Sequence, residues 1–571
     1  MTYSPKVLKI IFTLKSFLTE EQTTIDYRTE PKYFTRKSKM NFPTYALLGS
    51  SLLKKSLSVE LYNILEVNNI DYISKSAYSQ GRYKICPKFY QAFDSLLLDS
   101  VYGFSHTSPS TSTANATAND CVLATKKWRG YFLDAIDGSS IVLPKTAALI
   151  AHFGTHGSKV KTKAIRTTMA RLLVRTDLLN EYVVQTELCP TTESELSVCK
   201  RWIYQLNSEA ISIFDRGFAS AGIFFFLVQM EKLFVCRLKV SFNNVVKEFM
   251  ASSSLDSEVY FTVTETESFI NQSLSNFKEI ASTDDSSCYT QVTKGVKVKV
   301  RLVKVLLPTG EIEVLATSLY DKNTISIADL SDLYQLRWGV ETILNSLKNQ
   351  LQMMVFSGIK PNAILQEIYA CIFVYNLRQL LINEAQLIVN EENAAKIVAN
   401  KVNKIQLVVN EAQLVINEAQ LVVNEAQLVA NEAQLVANEA QLVVNEAQLV
   451  VNEAQLVVNE AQIVVNEAQI VINEAQIVIN EAQIVANEQV NKIKKCNLVQ
   501  KINKNVALGV LKPSIMTLFL DDNPKRIIDK LISYFVKNKI SKKKLAKYPP
   551  RQKSLAKRRN LNTQYNYRRA I

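Results

Sequence analysis

The sequence lacks every pattern that would tie it down by covalent or metal links. Its eight cysteines stand at 86, 121, 189, 199, 236, 288, 371 and 496, and none forms a CxxC pair. Its three histidines, His106, His152 and His156, hold no zinc-ligand spacing to any cysteine. A zinc finger and a disulfide framework are therefore excluded, and reduced thiols in a cytoplasm fit better. Long apolar runs are also missing. None approaches the roughly 18 residues that span a bilayer, and the best candidate, residues 221–228, reads as a buried helix. The apolar patch at residues 7–12 is broken by Lys9 and lacks a small-residue cleavage site, so no signal peptide is expected. The reading is a soluble chain with no membrane partner.

What is present is charge, unevenly placed. The chain has 571 residues with 67 Lys+Arg against 53 Asp+Glu, a net of +14. That length suggests about two to four folding units. Residues 383–488 hold 15 Glu, no Asp and three Lys, a net of −12. The other 465 residues carry 64 basic and 38 acidic groups, or +26. So basic a body points to a polyanion, nucleic acid before anionic membrane. The tail 541–571 alone has eleven Lys/Arg and no acid, interleaved with Tyr548, Tyr565 and Tyr567. It reads either as a solvated tail or as a phosphate-backbone contact.

Organisation follows from periodicity. Residues 1–104 are mostly helical, and the polar, basic and aromatic stretch 74–84 is either a solvated helix face or a DNA-contacting helix. Residues 105–120 are low-complexity Ser/Thr/Ala/Asn, a linker or surface loop. From Gly130 the pattern turns to β-rich runs at 131–136, 140–143, 167–175 and 181–186, not all necessarily separate strands. A helix over 193–206, a strand over 210–214 and a helix over 219–232 follow. This succession suggests a mixed α/β sheet. Residues 235–320 read as a β insertion. Residues 330–351 form an amphipathic helix whose apolar side carries Leu333, Leu336, Val340, Ile343, Leu344, Leu347 and Leu351. Residues 364–381 form a further, mainly apolar helix.

A repeat then intervenes. NEAQ followed by three aliphatic or Ala residues recurs every seven residues, with Asn at 410 and every seventh position to 487. An odd period flips a strand's buried face at each unit, so the repeat reads as helix. Its Ala and last two aliphatics form one stripe, with the Leu or Ile on the opposite side, a flawed coiled coil. The 84 residues from Asn410 would run about 126 Å.

Three acids stand where chemistry could use them. Asp137 ends one apolar run, Asp215 ends another, and Glu341 lies on the polar face of the amphipathic helix. Strand-end aspartates commonly cap turns. Carboxylates on separate elements can also converge on hard cations such as Mg²⁺, and two such ions can activate an oxygen nucleophile and stabilise a leaving oxygen on a phosphodiester. Asp134 is a nearby competitor but alternates to the other strand face. Tyr334, Arg337, Glu341 and Lys348 are spaced 3, 4 and 7 and share one helix face. They form either an exposed face with an i,i+4 ion pair or a phosphate-holding row.

Tyr-x2-Arg-x3-Glu-x6-Lys, here YQLRWGVETILNSLK, resembles the YREK signature of insertion-sequence DDE transposases of the IS-four group. AIDGS at 135–139, DRGF at 215–218, LATSL at 315–319, KINKNVALGVLK at 501–512 and the terminal YNYRRAI are similar to that family too. The resemblance covers most of residues 30–380 and 497–571. It implies an RNase-H-like core, and so an α/β fold with a mixed sheet, a β-rich insertion, a helical N-terminal region and a long helical heptad-repeat insertion. The implied organisation is an N-terminal DNA-binding region 1–104, linker 105–120, core 121–234, β insertion 235–320, core with signature helix 321–382, repeat 383–488, and C-terminal helices with basic tail 489–571. It further implies metal-dependent cleavage at the ends of a mobile element and strand transfer into target DNA. Asp137, Asp215 and Glu341 would be catalytic and hold two Mg²⁺, with Mn²⁺ as substitute. Tyr334, Arg337 and Lys348 would contact phosphates. Trp338 would stack on an unpaired base or pack in the core. The partners would be double-stranded DNA, both transposon ends and target, and a second copy in a synaptic dimer. The setting would be a prokaryotic cytoplasm, at the nucleoid. The repeat departs from the family and reads as tandem expansion of a 21-nucleotide unit. The alternatives are a catalytically weak DNA-binding relic and a self-associating heptad-repeat structural protein.

Overall fold

In the computed structural model the described residues are 5–36, 40–52, 54, 56–103, 123–160, 163–270, 289–307, 310–439 and 500–541. The linker 105–120, the basic tail from 542 and the repeat from 440 lie outside them. The chain divides into two units, one holding Met1–Gln386 and Ile502–Ile540, the other Leu387–Lys501.

Six helices build the N-terminal region of the first unit: α1 (Pro5–Thr19), α2 (Glu21–Tyr27), α3 (Phe42–Ser51), α4 (Leu57–Val67), α5 (Lys75–Arg82) and α6 (Lys88–Tyr102). Their apolar faces bury Val7, Ile10, Leu14, Leu61, Phe89 and Phe93. Helix α5 covers the stretch offered as a DNA-contacting helix. Its Ser74 cap accepts from the Ala77 N–H at 3.2 Å. Its Arg82, however, is buried and donates to Glu367 and Ser357, each at 2.8 Å. That guanidinium is held by packing partners inside the fold.

The sheet comes next: β1 (Phe132–Val142), α7 (Ala147–Phe153), β2 (Thr155–Val160), β3 (Lys163–Asp177), β4 (Tyr182–Pro190), α8 (Glu195–Trp202), β5 (Ala210–Phe214), α9 (Ala221–Gln229) and β6 (Leu233–Leu238). The runs 131–136 and 140–143 are one strand, because β1 continues antiparallel to β3 through Asp137 and Gly138. Strands β4, β3, β1, β5 and β6 lie side by side. Strand β1 is antiparallel to β3 and parallel to β5, and β5 is parallel to β6. This order and direction fit an RNase-H-like core.

The region read as an insertion comprises α10 (Asn244–Ala251), β7 (Asp256–Thr262), β8 (Glu267–Ile270), β9 (Tyr289–Val292), β10 (Lys297–Leu306) and β11 (Ile312–Thr317). It does not form a separate β body. Strands β11, β10 and β7 pair onward from β6 and extend the same sheet to nine strands, while β8 and β9 form a small sheet of their own. The boundary expected at 234/235 therefore cuts through β6, a core strand.

Alternation along each strand sorts the two faces. Ile136, Phe214, Phe234 and Cys236 pack on one side with Trp202 and Phe224. Leu133, Ile211, Ile213, Val235 and Leu315 pack on the other with Leu330, Leu333 and Tyr334. Those last three belong to α11 (Ile327–Leu336), which continues through Arg337 into α12 (Trp338–Asn345) and a π turn over Ser346–Gln350. A capping box starts α11: Ser326 and Asp329 each satisfy the other's backbone N–H. The amphipathic helix expected over 330–351 is thus a rod of three pieces. Its break falls on Arg337 and its widened turn contains Lys348.

Helix α13 (Pro361–Glu439) opens on a proline, whose missing N–H costs nothing at a first helical position. Its first turns bury Ile364, Ile368, Phe373, Leu377 and Leu380. Phe373 stacks on Phe93 with centroids 4.4 Å apart. The expected helix over 364–381 and the start of the repeat are therefore one element. Two C-terminal helices, α14 (Lys504–Leu520) and α15 (Pro524–Lys537), complete the first unit, and Phe519 lies 5.7 Å from Phe93.

Within the second unit the described repeat is helical to Glu439. Leu407, Leu414, Leu421 and Leu428 are each 61% exposed, as expected for the polar side. Val415, Val422 and Val429 are exposed too. Among the described side chains of the repeat, Ile416, Ala419 and Val423 are partly covered and Ala426 is buried. The stripe is narrower than expected because the middle aliphatic turns outward.

Candidate active site

Register places the two aspartates side by side. Ile136 of β1 pairs with Phe214 of the parallel strand β5. Asp137 and Asp215 are the next residue on each. Parity then turns both toward the face covered by α11 and α12, since Leu133, Ile211 and Ile213 pack there. Asp134 alternates away and stands 3.6 Å from the fully buried Arg175. Its role is structural.

The helical rod supplies the rest. The Tyr334 hydroxyl donates to Asp215 Oδ1 at 3.3 Å. Arg337 Nη2 donates to Glu341 Oε1 at 2.7 Å, and its Nη1 stands 4.0 Å from Asp137 Oδ2. Lys348 Nζ donates to the Ser139 hydroxyl and, at 3.0 Å, to the Ser140 carbonyl of β1. The expected row of Tyr334, Arg337, Glu341 and Lys348 thus faces the stretch of β1 from Asp137 to Ser140 and the end of β5. Trp338 does not pack in the core; it is 45% exposed on the rod's outer side.

The surroundings of the two aspartates differ. Burial pushes the Asp137 carboxyl up to about 6; the Gly138 N–H and Arg337 pull it down, while Glu341 and Glu195 push it up. Burial would also raise Asp215. Arg237, the Arg216 backbone N–H, Arg337 and Tyr334 outweigh it and hold that carboxyl below its usual range. Burial keeps the Tyr334 phenol protonated, raising it far above its ordinary value. Arg337 is 5% exposed, and its Nε is buried with no hydrogen-bond partner.

The carboxylates gather about the Arg337 guanidinium, not about a common point. Among the described residues, no three Asp, Glu, His or Cys side chains stand close enough to hold a metal ion. The donors are nonetheless the right kind for a hard cation: oxygen atoms from three acids on three elements.

Residues 134–377 match the family model described as the transposase DDE domain. The chain carries a transposase DDE domain. This domain begins in β1 and ends in α13, so it contains all seven candidate residues and stops short of the repeat. The chain is also similar to the transposase in the cryo-EM structure of a piggyBac transposase synaptic complex with hairpin DNA. That likeness has 10% identity and a TM-score of 0.35, over 66% of this chain and 75% of that one. No curated protein matches the chain.

The DDE domain brings further residues to the site that sequence reasoning did not single out. Arg237 of β6 stands 3.0 Å from Asp215 Oδ1 and 2.8 Å from Glu313 of β11. Glu195 at the start of α8 packs on Gly138, where an added Cβ would meet its carboxyl carbon at 2.3 Å. A signal existed for the first pair. Arg237 and Glu313 are lone charges in the apolar strands LFVCRL and IEVLAT, and a charge there needs a partner.

Among the described residues, no helix is long and apolar enough to cross a membrane, and the cysteines, such as Cys189 and Cys236, are free thiols.

Proposed function

We infer that this chain is a DDE transposase of the IS-four kind. In this reading it cleaves DNA at the ends of an insertion sequence and joins the freed 3′-hydroxyl to target DNA. The observation that carries the reading is the meeting of Asp137, Asp215 and Glu341 around Tyr334 and Arg337 within a DDE domain.

Asp137, Asp215 and Glu341 would hold two Mg²⁺ ions, with Mn²⁺ able to replace them. Bound there, such ions activate the attacking oxygen and stabilise the leaving one. The protein's own groups do the rest. Asp215, kept ionised by Arg237 and Tyr334, supplies a permanent negative donor. Arg337, a planar fork whose Nη2 donates to Glu341, suits a phosphate oxygen. Moving its donors from Glu341 to a phosphate frees the carboxylate, so DNA and metal would assemble together. Lys348 aligns the backbone beside β1. Trp338, exposed on the rod, is available to stack on an unpaired base.

The +26 body suits an enzyme that holds several DNA segments, and pairing of two ends calls for a dimer in the synaptic complex. The setting would be a prokaryotic cytoplasm at the nucleoid. The heptad repeat is a late insertion without a part in the chemistry. The test is cleavage of supercoiled plasmid DNA in Mg²⁺ by wild type and Glu341→Ala. Equal cutting by the two proteins would remove the enzyme reading.

A further inference from the structure

Strand β6 runs through the core between β5 and β11, and one of its residues is an arginine. Phe214 pairs with Cys236 in the parallel register, so Arg237 is the next residue beside Asp215. Across β6, Leu315 of β11 pairs with Arg237, and alternation puts Glu313 on the same face. The side chains meet accordingly. Arg237 Nη2 stands 3.0 Å from Asp215 Oδ1, and Nη1 donates to Glu313 Oε1 at 2.8 Å. Asp215 Oδ1 also accepts from the Tyr334 hydroxyl. One oxygen of this carboxylate is therefore held by donors from two elements, one of them anchored to a third strand.

A partly buried guanidinium placed only to neutralise Glu313 would not need to reach Asp215. The planar fork matters here, because its two terminal nitrogens address two carboxylates at once, which a lysine ammonium on a flexible stem cannot do in the same geometry. We propose that Arg237, anchored by Glu313, is a positioning residue for Asp215. It pins Oδ1 against β6 and so fixes the orientation of the carboxylate relative to Asp137 and Glu341. This rests on the metal-centre reading above.

The sign of one measurement separates positioning from simple charge. Removing a nearby positive charge makes the site more negative and should tighten cation binding; releasing a positioned ligand should weaken it. Mn²⁺ binding to the full chain is followed by electron paramagnetic resonance, without DNA, for wild type, Arg237→Met, Arg237→Lys and Glu313→Gln. Arg237→Met is expected to bind Mn²⁺ about tenfold or more weakly, the scale on which outer partners of metal ligands act. Arg237→Lys, which keeps the charge and loses the fork, also weakens binding. Circular dichroism checks each fold; where Arg237→Met does not fold, Glu313→Gln, expected to weaken binding severalfold, decides. Wild-type or tighter binding in the folded Arg237 variants overturns the proposal and leaves the metal-centre reading standing. If Glu341→Gln and Asp215→Asn leave wild-type Mn²⁺ binding unchanged, the metal-centre reading falls and the proposal with it.

Discussion

Arg337 donates to Glu341 at 2.7 Å from one turn earlier on the same helical rod. An exposed i,i+4 pair of this kind contributes only a few tenths of a kcal/mol. This one differs because the guanidinium is buried against Asp137 and Asp215 as well. Replacing Arg337 by Gln leaves those acids facing one another without their cation. At low salt and without metal, Arg337→Gln is expected to lower the melting temperature, and added Mg²⁺ is expected to restore more of that loss than it gives the wild type. Calorimetry with and without Mg²⁺ checks it.

Asp137 gives a pH prediction. Its carboxyl is raised to about 6 in the folded chain against 3.8 for the ordinary group, chiefly by burial. The folded state therefore binds the proton more tightly than the unfolded state. The stability this confers is full below pH 3.8 and is lost as pH rises through about 6. Asp137→Asn cannot lose a proton. Its stability advantage over wild type should grow between those values and level off above them. Melting temperatures across pH 4–8 in chelator, which show either a growing gap or parallel curves, decide the point.

Glu367 is the keystone beneath α5. It is buried, accepts from Lys54 at 2.7 Å and Arg82 at 2.8 Å, and takes the Ser357 and Gly358 backbone N–H groups at 3.0 Å. Against the cost of burial, Lys54 and Arg82 hold its carboxyl far below the usual range. A depressed acid contributes stability above its ordinary value of 4.5 and loses it as pH falls below. Glu367→Gln strands two buried cations and should cost about 3–5 kcal/mol. Urea unfolding at pH 7 measures it, and a loss under 1 kcal/mol would contradict the account.

Asn376 joins three elements. Its amide donates to both oxygens of Asp94 in α6 and to the Val183 carbonyl of β4, and its carbonyl accepts the Val183 N–H at 2.9 Å. Asn376→Leu keeps the branched shape of the side chain and removes every one of these bonds. Each buried group left unmatched costs about 1–3 kcal/mol, so the unfolding midpoint should drop sharply. An unchanged midpoint would show that water replaces the amide.

The chain leaves the first unit after Gln386 and re-enters it at Ile502, and these two residues touch. Ile502 N–H donates to Gln386 Oε1 at 3.2 Å. Replacing residues 387–501 by a Gly/Ser connection of about four residues should therefore leave the first unit folded, with its melting temperature within a few degrees. Collapse of the shortened chain would give the repeat a structural part in the fold.

Much of the site's layout was written in local sequence. Spacing alone put Tyr334, Arg337, Glu341 and Lys348 on one face, and an apolar run stopping at Asp215 marked the end of β5. Other features depend on contacts distant in sequence. That β1 runs on through Asp137 follows from pairing with β3, and Gly138 is tolerated there because Glu195 packs where a Cβ would stand. The stretch 74–84 read as either a solvated face or a DNA-contacting helix, and the burial of its Arg82 could not be read locally because the partners lie nearly three hundred residues away. Arg237 was passed over because its importance lies in neighbours that only sheet order supplies. The nine-stranded sheet, with β11 beside β6, likewise could not be read from alternation, which gives a strand's faces and not its neighbours.

The central claim is that Asp137, Asp215 and Glu341 act as one metal-holding unit on DNA. It is tested most directly by comparing wild type with Asp137→Asn, Asp215→Asn and Glu341→Gln in Mg²⁺-dependent plasmid cleavage, with DNA binding measured in parallel. The account predicts that each single variant loses cleavage by more than about a hundredfold while still binding DNA, because each removes one ligand of a shared site. Cleavage by any one of the three at the wild-type rate would contradict it.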